Sequence, residues 1–220
     1  MPTDDQRRPG RDSWPDPRLY AAATQRNREP ILEVLTQVLP SRGLVLEIAS
    51  GTGEHAAWFA HRLRPLAWQP SDPEPELRRS IAAHGADAGA GNLRPPLDLD
   101  VHEVPWPLER ADAVVCVNLI HIAPWSATQA LMRGAGCVLD AGGLLYLYGP
   151  FRRAGRHSAP SNAAFDAALK AENPLWGVRD LDAVAAEADV NGLALWKTYE
   201  MPANNLSVTF LRSGSQAPRS

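Results

Sequence analysis

Apolar residues along this 220-residue chain follow two spacings by turns, and the alternation predicts strands separated by helices. Short continuous apolar runs fall at Leu44–Ala49, Leu66–Gln69, Leu97–Val101, Ala113–Val117 and Leu144–Tyr148. Runs of this kind suit strands covered on both faces. Between them a helical stripe recurs: Ile31, Leu32, Leu35, Val38 and Leu39, then Ala56 to Ala60, then Leu77 and Ile81, then Ser126 to Leu139. Pro30 suits the first turn of the first helix, and Pro40 to Gly43 stops it. Two further helical stretches, Ser161 to Ala171 and Leu181 to Val190, precede a final pair of strands at Leu193–Met201 and Leu206–Leu211. The turn joining that pair is too short for a crossover, so the two are expected to be antiparallel. Strands alternating with helices predict an α/β domain.

The pattern also sets the expected limits of the domain. Residues 1–17 are polar and proline-rich and read as a disordered head, residues 18–212 as one domain, and 213–220 as a tail. Gly149 to Ser161 reads as a long functional or mobile loop. Net charge is −3, so no basic excess marks a nucleic-acid footprint. Cys116 and Cys137 both lie in apolar segments and are expected to be buried free thiols. No apolar run approaches the ~20 residues that span a bilayer, and no charged-then-apolar leader opens the chain. A cytoplasmic protein without membrane contact is the expectation.

Candidate chemistry gathers where strands end. Glu47-Ile48-Ala49-Ser50-Gly51-Thr52-Gly53 is a strand running into a Gly-x-Gly turn and then a helix. Glycines there allow positive φ and let a ligand meet bare backbone. Gly51-x-Gly53-x-x-Ala56 with Asp72 also fits a dinucleotide fingerprint. Glu47 argues against that reading, because a carboxylate repels a diphosphate but holds an ammonium group. Asp72, beside Pro73, can accept from both hydroxyls of a ribose. Leu99-Asp100-Val101 offers a carboxylate to an exocyclic amine and a backbone amide to a ring nitrogen. Asn118 and Leu119 follow the next strand, near the reacting end. Ala49 and Ser50 complete the turn. The set favours S-adenosylmethionine over a dinucleotide, and an NAD-dependent oxidoreductase is the weaker alternative.

In their order, Glu47, Gly51, Gly53, Asp72, Asp100 and Asn118 resemble class I S-adenosylmethionine-dependent methyltransferases. More narrowly, the chain resembles the little-characterised methyltransferase-like protein 26 family from about Arg26 to Arg212. That resemblance rests on Arg26-Asn27-Arg28-Glu29-Pro30-Ile31, Trp68-Gln69-Pro70-Ser71-Asp72 and Tyr148-Gly149-Pro150-Phe151-Arg152, among other blocks. Those others include Ser161 to Asp166, Trp176 to Asp180 and Met201 to Leu206. It implies a Rossmann-like, seven-stranded, mostly parallel sheet with one reversed C-terminal strand and helices on both faces. It also implies S-adenosyl-L-methionine as cofactor, and names no substrate.

Methyl transfer is an in-line displacement, so positioning and exclusion of water matter most. A base is needed only for a protonated, weakly acidic nucleophile. His121 is the candidate base by position, against a structural histidine at a strand–helix junction. Tyr148 can orient a substrate, against a packed aromatic. Arg26 and Asn27 can fold over cofactor or substrate, against helix capping by Asn27. Arg152, Asn162, Trp176 and Asn204 are candidate substrate contacts, with turn geometry the alternative for Asn204. Asn118-Leu119-Ile120-His121 lacks the Asn-Pro-Pro-aromatic pattern of nucleic-acid amino methyltransferases. His55, His61, His84 and His102 show no metal spacing. The reading is a methyltransferase moving a methyl group to an O, N or S atom of a small molecule. A non-catalytic protein binding the cofactor or its demethylated product is the rival.

Overall fold

The computed structural model describes residues 16–214. Helix α1 (Ala22–Val38) leads into β1 (Leu44–Ile48), α2 (Glu54–Arg62), β2 (Ala67–Pro70) and α3 (Pro75–Asp87). Then come β3 (Ala111–Val117), α4 (Trp125–Val138) and β4 (Leu139–Gly149). The remainder is β5 (Phe151–Arg153), β6 (Arg156–His157), α5 (Pro160–Glu172), β7 (Arg179–Asp180), α6 (Leu181–Val190), β8 (Leu193–Met201) and β9 (Asn205–Arg212). The head and tail expected at 1–17 and 213–220 lie almost wholly outside the described residues.

Six strands form one sheet in the order β2-β1-β3-β4-β9-β8. β2, β1, β3 and β4 pair in parallel, whereas β9 runs antiparallel to both β4 and β8. Successive side chains on a strand point to opposite faces, and two cores result. Leu46 and Ile48 of β1 join Leu131 and Val184 of α4 and α6, while Val45 joins Ile31 and Phe59 of α1 and α2. Among the described residues no helix is long and apolar enough to cross a membrane.

Four sequence expectations change. The run Leu97–Val101 is not a strand of the sheet. The chain instead comes alongside β2 earlier, through isolated bridges Trp68–Leu93 and Ser71–Leu97. Pro95 and Pro96 lie between the bridges, and without N–H groups they cannot carry a ladder. The sheet therefore has six strands and a broken edge where a seventh was expected.

Helix α1 begins at Ala22, not near Pro30, and Pro30 lies inside it. A proline there removes the bond to the carbonyl four residues back, that of Arg26. Arg26 and Asn27 are thus helical, and Asn27 is no cap. Within Gly149–Ser161, β5 and β6 form a small hairpin, and β5 also pairs with β7. Cys116 is buried as expected, but Cys137 is exposed.

Candidate functional site

Parallel strand order reverses between β1 and β3, because β2 lies on one side of β1 and β3 on the other. Ligands of open α/β sheets bind beyond the carboxyl ends at such a point. Here the turn after β1 occupies it. Ala49, Gly51 and Gly53 have φ of 53°, 57° and 89°. The two glycines answer different needs. A Cβ on Gly53 would stand 2.5 Å from the Ile81 Cα, so α3 can pack against this turn only if residue 53 has no side chain. A Cβ on Gly51 would meet nothing within 4 Å, so that stretch of backbone faces open space.

Hydrogen bonds lace the ends of β1 and β2. Ser50 N–H donates to the Ser71 carbonyl at 2.8 Å, and the Ser71 hydroxyl donates to the Glu47 carbonyl at 2.7 Å. Asp72 accepts from Gly51 N–H and Glu74 N–H, each at 3.0 Å. Burial nevertheless raises its carboxyl above the usual range. Glu47 is 2 % exposed and accepts from Trp68 Nε1 at 2.6 Å. Burial outweighs that bond and pushes its carboxyl up to about 8. Asp100 is half-buried, and the His102 N–H and Nδ1 both lie 2.9 Å from its Oδ1. The His102 amide holds the Asp100 carboxyl below the usual range. Leu99 and Val101 are buried in the α4/α6 core, and Pro73 is exposed.

At the carboxyl ends of β3 and β4 lies a cavity of about 590 Å³, which falls in the range of small-molecule sites, and no residue of the 49–53 turn lines it. Arg26, Asn27, Asn118, Tyr148 and Asn162 all line it. Asn118 has φ 64° and opens the turn that contains Leu119, and its N–H bonds the Tyr148 carbonyl at 2.9 Å. That bond sets the ends of β3 and β4 side by side. Burial raises the Tyr148 phenol, while hydrogen bonds with the Asn27 and Asn205 side chains work the other way. The Asn162 Nδ2 is committed to Ser158 Oγ at 2.9 Å and the Asn204 carbonyl at 2.8 Å, tying α5 to the turn before β9. In that turn Ala203 and Asn204 have positive φ, but Asn205 is extended. Asn205 contributes to the lining where Asn204 does not.

Besides Asn204, three candidates lie away from the cavity lining, His121, Arg152 and Trp176. His121 is 1 % exposed, with its ring edge on Phe151 at 5.0 Å. Its Nδ1 accepts from the Arg179 amide at 3.4 Å, its Nε2 is buried without a partner among the described residues, and burial pushes it down to about 3. The ring is enclosed behind Gly149, where a Cβ would meet both its Nε2 and the Oδ1 of the cavity-lining Asn118. Arg152 lies on the β5–β6 hairpin, and Trp176 caps a turn through its bond to the Asn173 carbonyl at 2.9 Å. Arg179 bonds the carbonyls of Ile120, Ala123 and Leu175 at 2.6–2.8 Å and so clamps the 119–123 segment.

The sequence reading missed Ile122, Pro150, Pro202 and Ala203 as cavity residues. Apolar and turn residues carry no chemical mark of a site. It also missed His55, whose Nε2 lies 2.8 Å from Asn27 Oδ1. A histidine one turn before Phe59 on a mostly apolar helix face was the available signal.

Residues 18–212 match the family described as "Protein of unknown function (DUF938)", and the chain belongs to that family. The fold is shared with solved methyltransferase structures at low identity. One is an O-methyltransferase family protein from Burkholderia thailandensis, with 17% identity, TM-score 0.74, 88% of this chain and 58% of that chain covered. Another is CalO1, a methyltransferase in calicheamicin biosynthesis in its SAH-bound form, with 17% identity, TM-score 0.69 and coverage of 87% and 55%. The YcgJ protein from Bacillus subtilis matches over 87% of this chain and 100% of its own, with 13% identity and TM-score 0.68. This chain thus spans little more than half the length of the first two.

Proposed function

We propose that this DUF938 member is an S-adenosylmethionine-dependent methyltransferase acting on an O, N or S atom of a small molecule, within a single domain at 18–212. The narrower kinship with methyltransferase-like protein 26 and a cytoplasmic setting belong to the same proposal. The observation that carries it is the left-handed turn at 49–53, whose Gly51 faces open space at the carboxyl edge of the same sheet whose β3 and β4 ends border an amphipathic cavity.

The residues present fit the cofactor. Open space over Gly51 leaves room for an amino-acid moiety, whereas Glu47, buried on Trp68 Nε1 with its carboxyl raised to about 8, does not present the charge its sequence position suggested. Asp72 is placed at the next strand end for a ribose diol, and Asp100 keeps its Oδ2 for an adenine amine. When bound, the cofactor supplies a methyl group already activated by a sulfonium charge. Asn118 and Tyr148 line the cavity at the ends of β3 and β4, where they orient the acceptor. Asn27 holds the Tyr148 hydroxyl in place. Among the described residues no Asp, Glu, His, Lys or Cys lines the cavity. The acceptor therefore either arrives with a free lone pair or gives its proton to water.

That same lack of an ordinary base favours the second reading, a non-catalytic binder of the cofactor or its product. Turnover of methyl-labelled donor against a metabolite extract separates the two: label transfer is expected, and persistent silence with intact cofactor binding supports the binder. Asp72→Ala should weaken S-adenosylhomocysteine binding at least about tenfold, through loss of charge-assisted bonds. Unchanged affinity removes the ribose assignment. Stabilisation by NAD but not by S-adenosylhomocysteine would replace the reading with the oxidoreductase.

A further inference from the structure

We infer that the cavity takes an apolar small molecule bearing one anionic group, a carboxylate or its equivalent, which meets Arg26. This rests on the reading of the cavity as the acceptor site.

Charge is the first argument. Among the described residues Arg26 is the one charged side chain in the lining, and no Asp or Glu contributes to it. Among the described residues Arg26 has no carboxylate within ion-pair distance, although Arg18, Arg78, Arg110 and Arg153 are all paired. A cationic substrate would find no counter-charge here and would face Arg26. An anion would find a planar donor fork suited to two parallel hydrogen bonds. The Arg26 carbonyl, released from the helix by Pro30, lies on the same turn.

Exposed apolar surface is the second. Ile122 is 44 % exposed and Phe165 43 % exposed, and both line this cavity, together with Pro150 and Pro202. Large side chains left open in a concave site are surface that an apolar ligand would cover. The polar remainder is neutral amides and a phenol, which fix orientation without asking for a charge. Arg26 stands on α1 and Phe165 on α5, so a ligand lying along the apolar wall can reach the guanidinium with one end. Its other end then points to Tyr148 and Asn118.

The test uses three probes of matched ring size, 2-naphthoate, 2-naphthol and 2-naphthylmethylammonium, titrated against the full chain by ligand-observed NMR. Naphthoate should bind at least about fivefold more tightly than the ammonium probe, as charge-assisted pairing requires. Arg26→Gln should abolish that preference, Arg26→Lys should retain part of it, and Phe165→Ala should weaken all three probes alike. Equal binding of the probes, preference for the ammonium, or no naphthoate binding at millimolar concentration overturns the proposal. S-adenosylhomocysteine binding is measured separately by calorimetry. Its absence alongside an intact naphthoate preference sinks the methyltransferase reading and leaves this inference standing. Its presence without that preference does the reverse.

Discussion

The His55 Nε2 and the Asn27 Oδ1 lie 2.8 Å apart, and this contact fixes how Asn27 faces the cavity. Burial pushes His55 down to about 4, and its ring stacks on Phe59 with centroids 5.2 Å apart. A neutral imidazole that donates through Nε2 takes up the amide oxygen of Asn27. The Asn27 NH2 is then left for Tyr148. His55 is thus a positioning residue one step removed from the site.

His55→Ala should cost about 1 to 2 kcal/mol, because it leaves the Asn27 oxygen short of a donor. It should also raise KM for an acceptor more than it lowers kcat. The fold holds His55 and His121 below their ordinary range, so between pH 6.5 and about 4 the unfolded chain binds more protons than the native one. Stability present above pH 6.5 is therefore lost as pH falls through that window. Because Glu47 acts in the opposite direction over the same interval, the readout is a difference: in urea unfolding the stability of wild type relative to His55→Ala should fall from pH 7.5 to pH 5. A constant difference would remove His55 from the account.

Glu47 carries the opposite sign. Its carboxyl is raised from 4.5 to about 8, so the native state holds the extra proton and stability falls as pH rises through that interval. Glu47→Gln keeps an acceptor for Trp68 Nε1 and cannot ionise. The stability of Glu47→Gln relative to wild type should increase between pH 6 and pH 8.5, by denaturant titration. A pH-independent difference would show that Glu47 is not buried as a neutral acid.

The two glycines of the turn should separate under substitution. Gly53→Ala drives a Cβ into the Ile81 backbone and should lower stability by about 2 to 4 kcal/mol, as overpacking and positive φ combine. Gly51→Ala has room, and only the left-handed φ opposes it, at about 1 to 2 kcal/mol. Its larger effect should fall on S-adenosylhomocysteine affinity. Thermal melts and calorimetry on both variants test the division. Similar melts with similar affinities would undo it.

Arg179→Lys should destabilise by about 2 kcal/mol, since one ammonium cannot serve carbonyls on both sides of a planar fork. Thermal unfolding would measure it, and an unchanged midpoint would show that the clamp on residues 119–123 is dispensable.

Most helices and strands were legible from periodicity, because buried faces demand apolar residues at fixed spacing. The helix over Ala22–Pro30 was not. Its residues are polar and include a proline, and it is anchored from outside, with Ala21 N–H donating to Glu54 Oε2 at 2.6 Å. Leu97–Val101 misled for the converse reason. Leu99 and Val101 are apolar because they fill the α4/α6 core, not because they pair in a sheet. Of the candidate site, the turn at 49–53 and Asp72 after β2 could be read in order, since both are set by local sequence at a strand end.

From its own residues the chain determined an α/β core, a bare-backbone turn after β1, and an acidic group, Asp72, beyond the end of β2. Those features are local in sequence, and spacing alone exposes them. Tertiary structure alone decided that Arg26, Tyr148 and Phe165 share a cavity, that His121 is enclosed, and that Gly53 serves packing while Gly51 faces open space. Each of these depends on which distant segment lies against a residue, and close packing of α1, α3 and α5 on the sheet settles that.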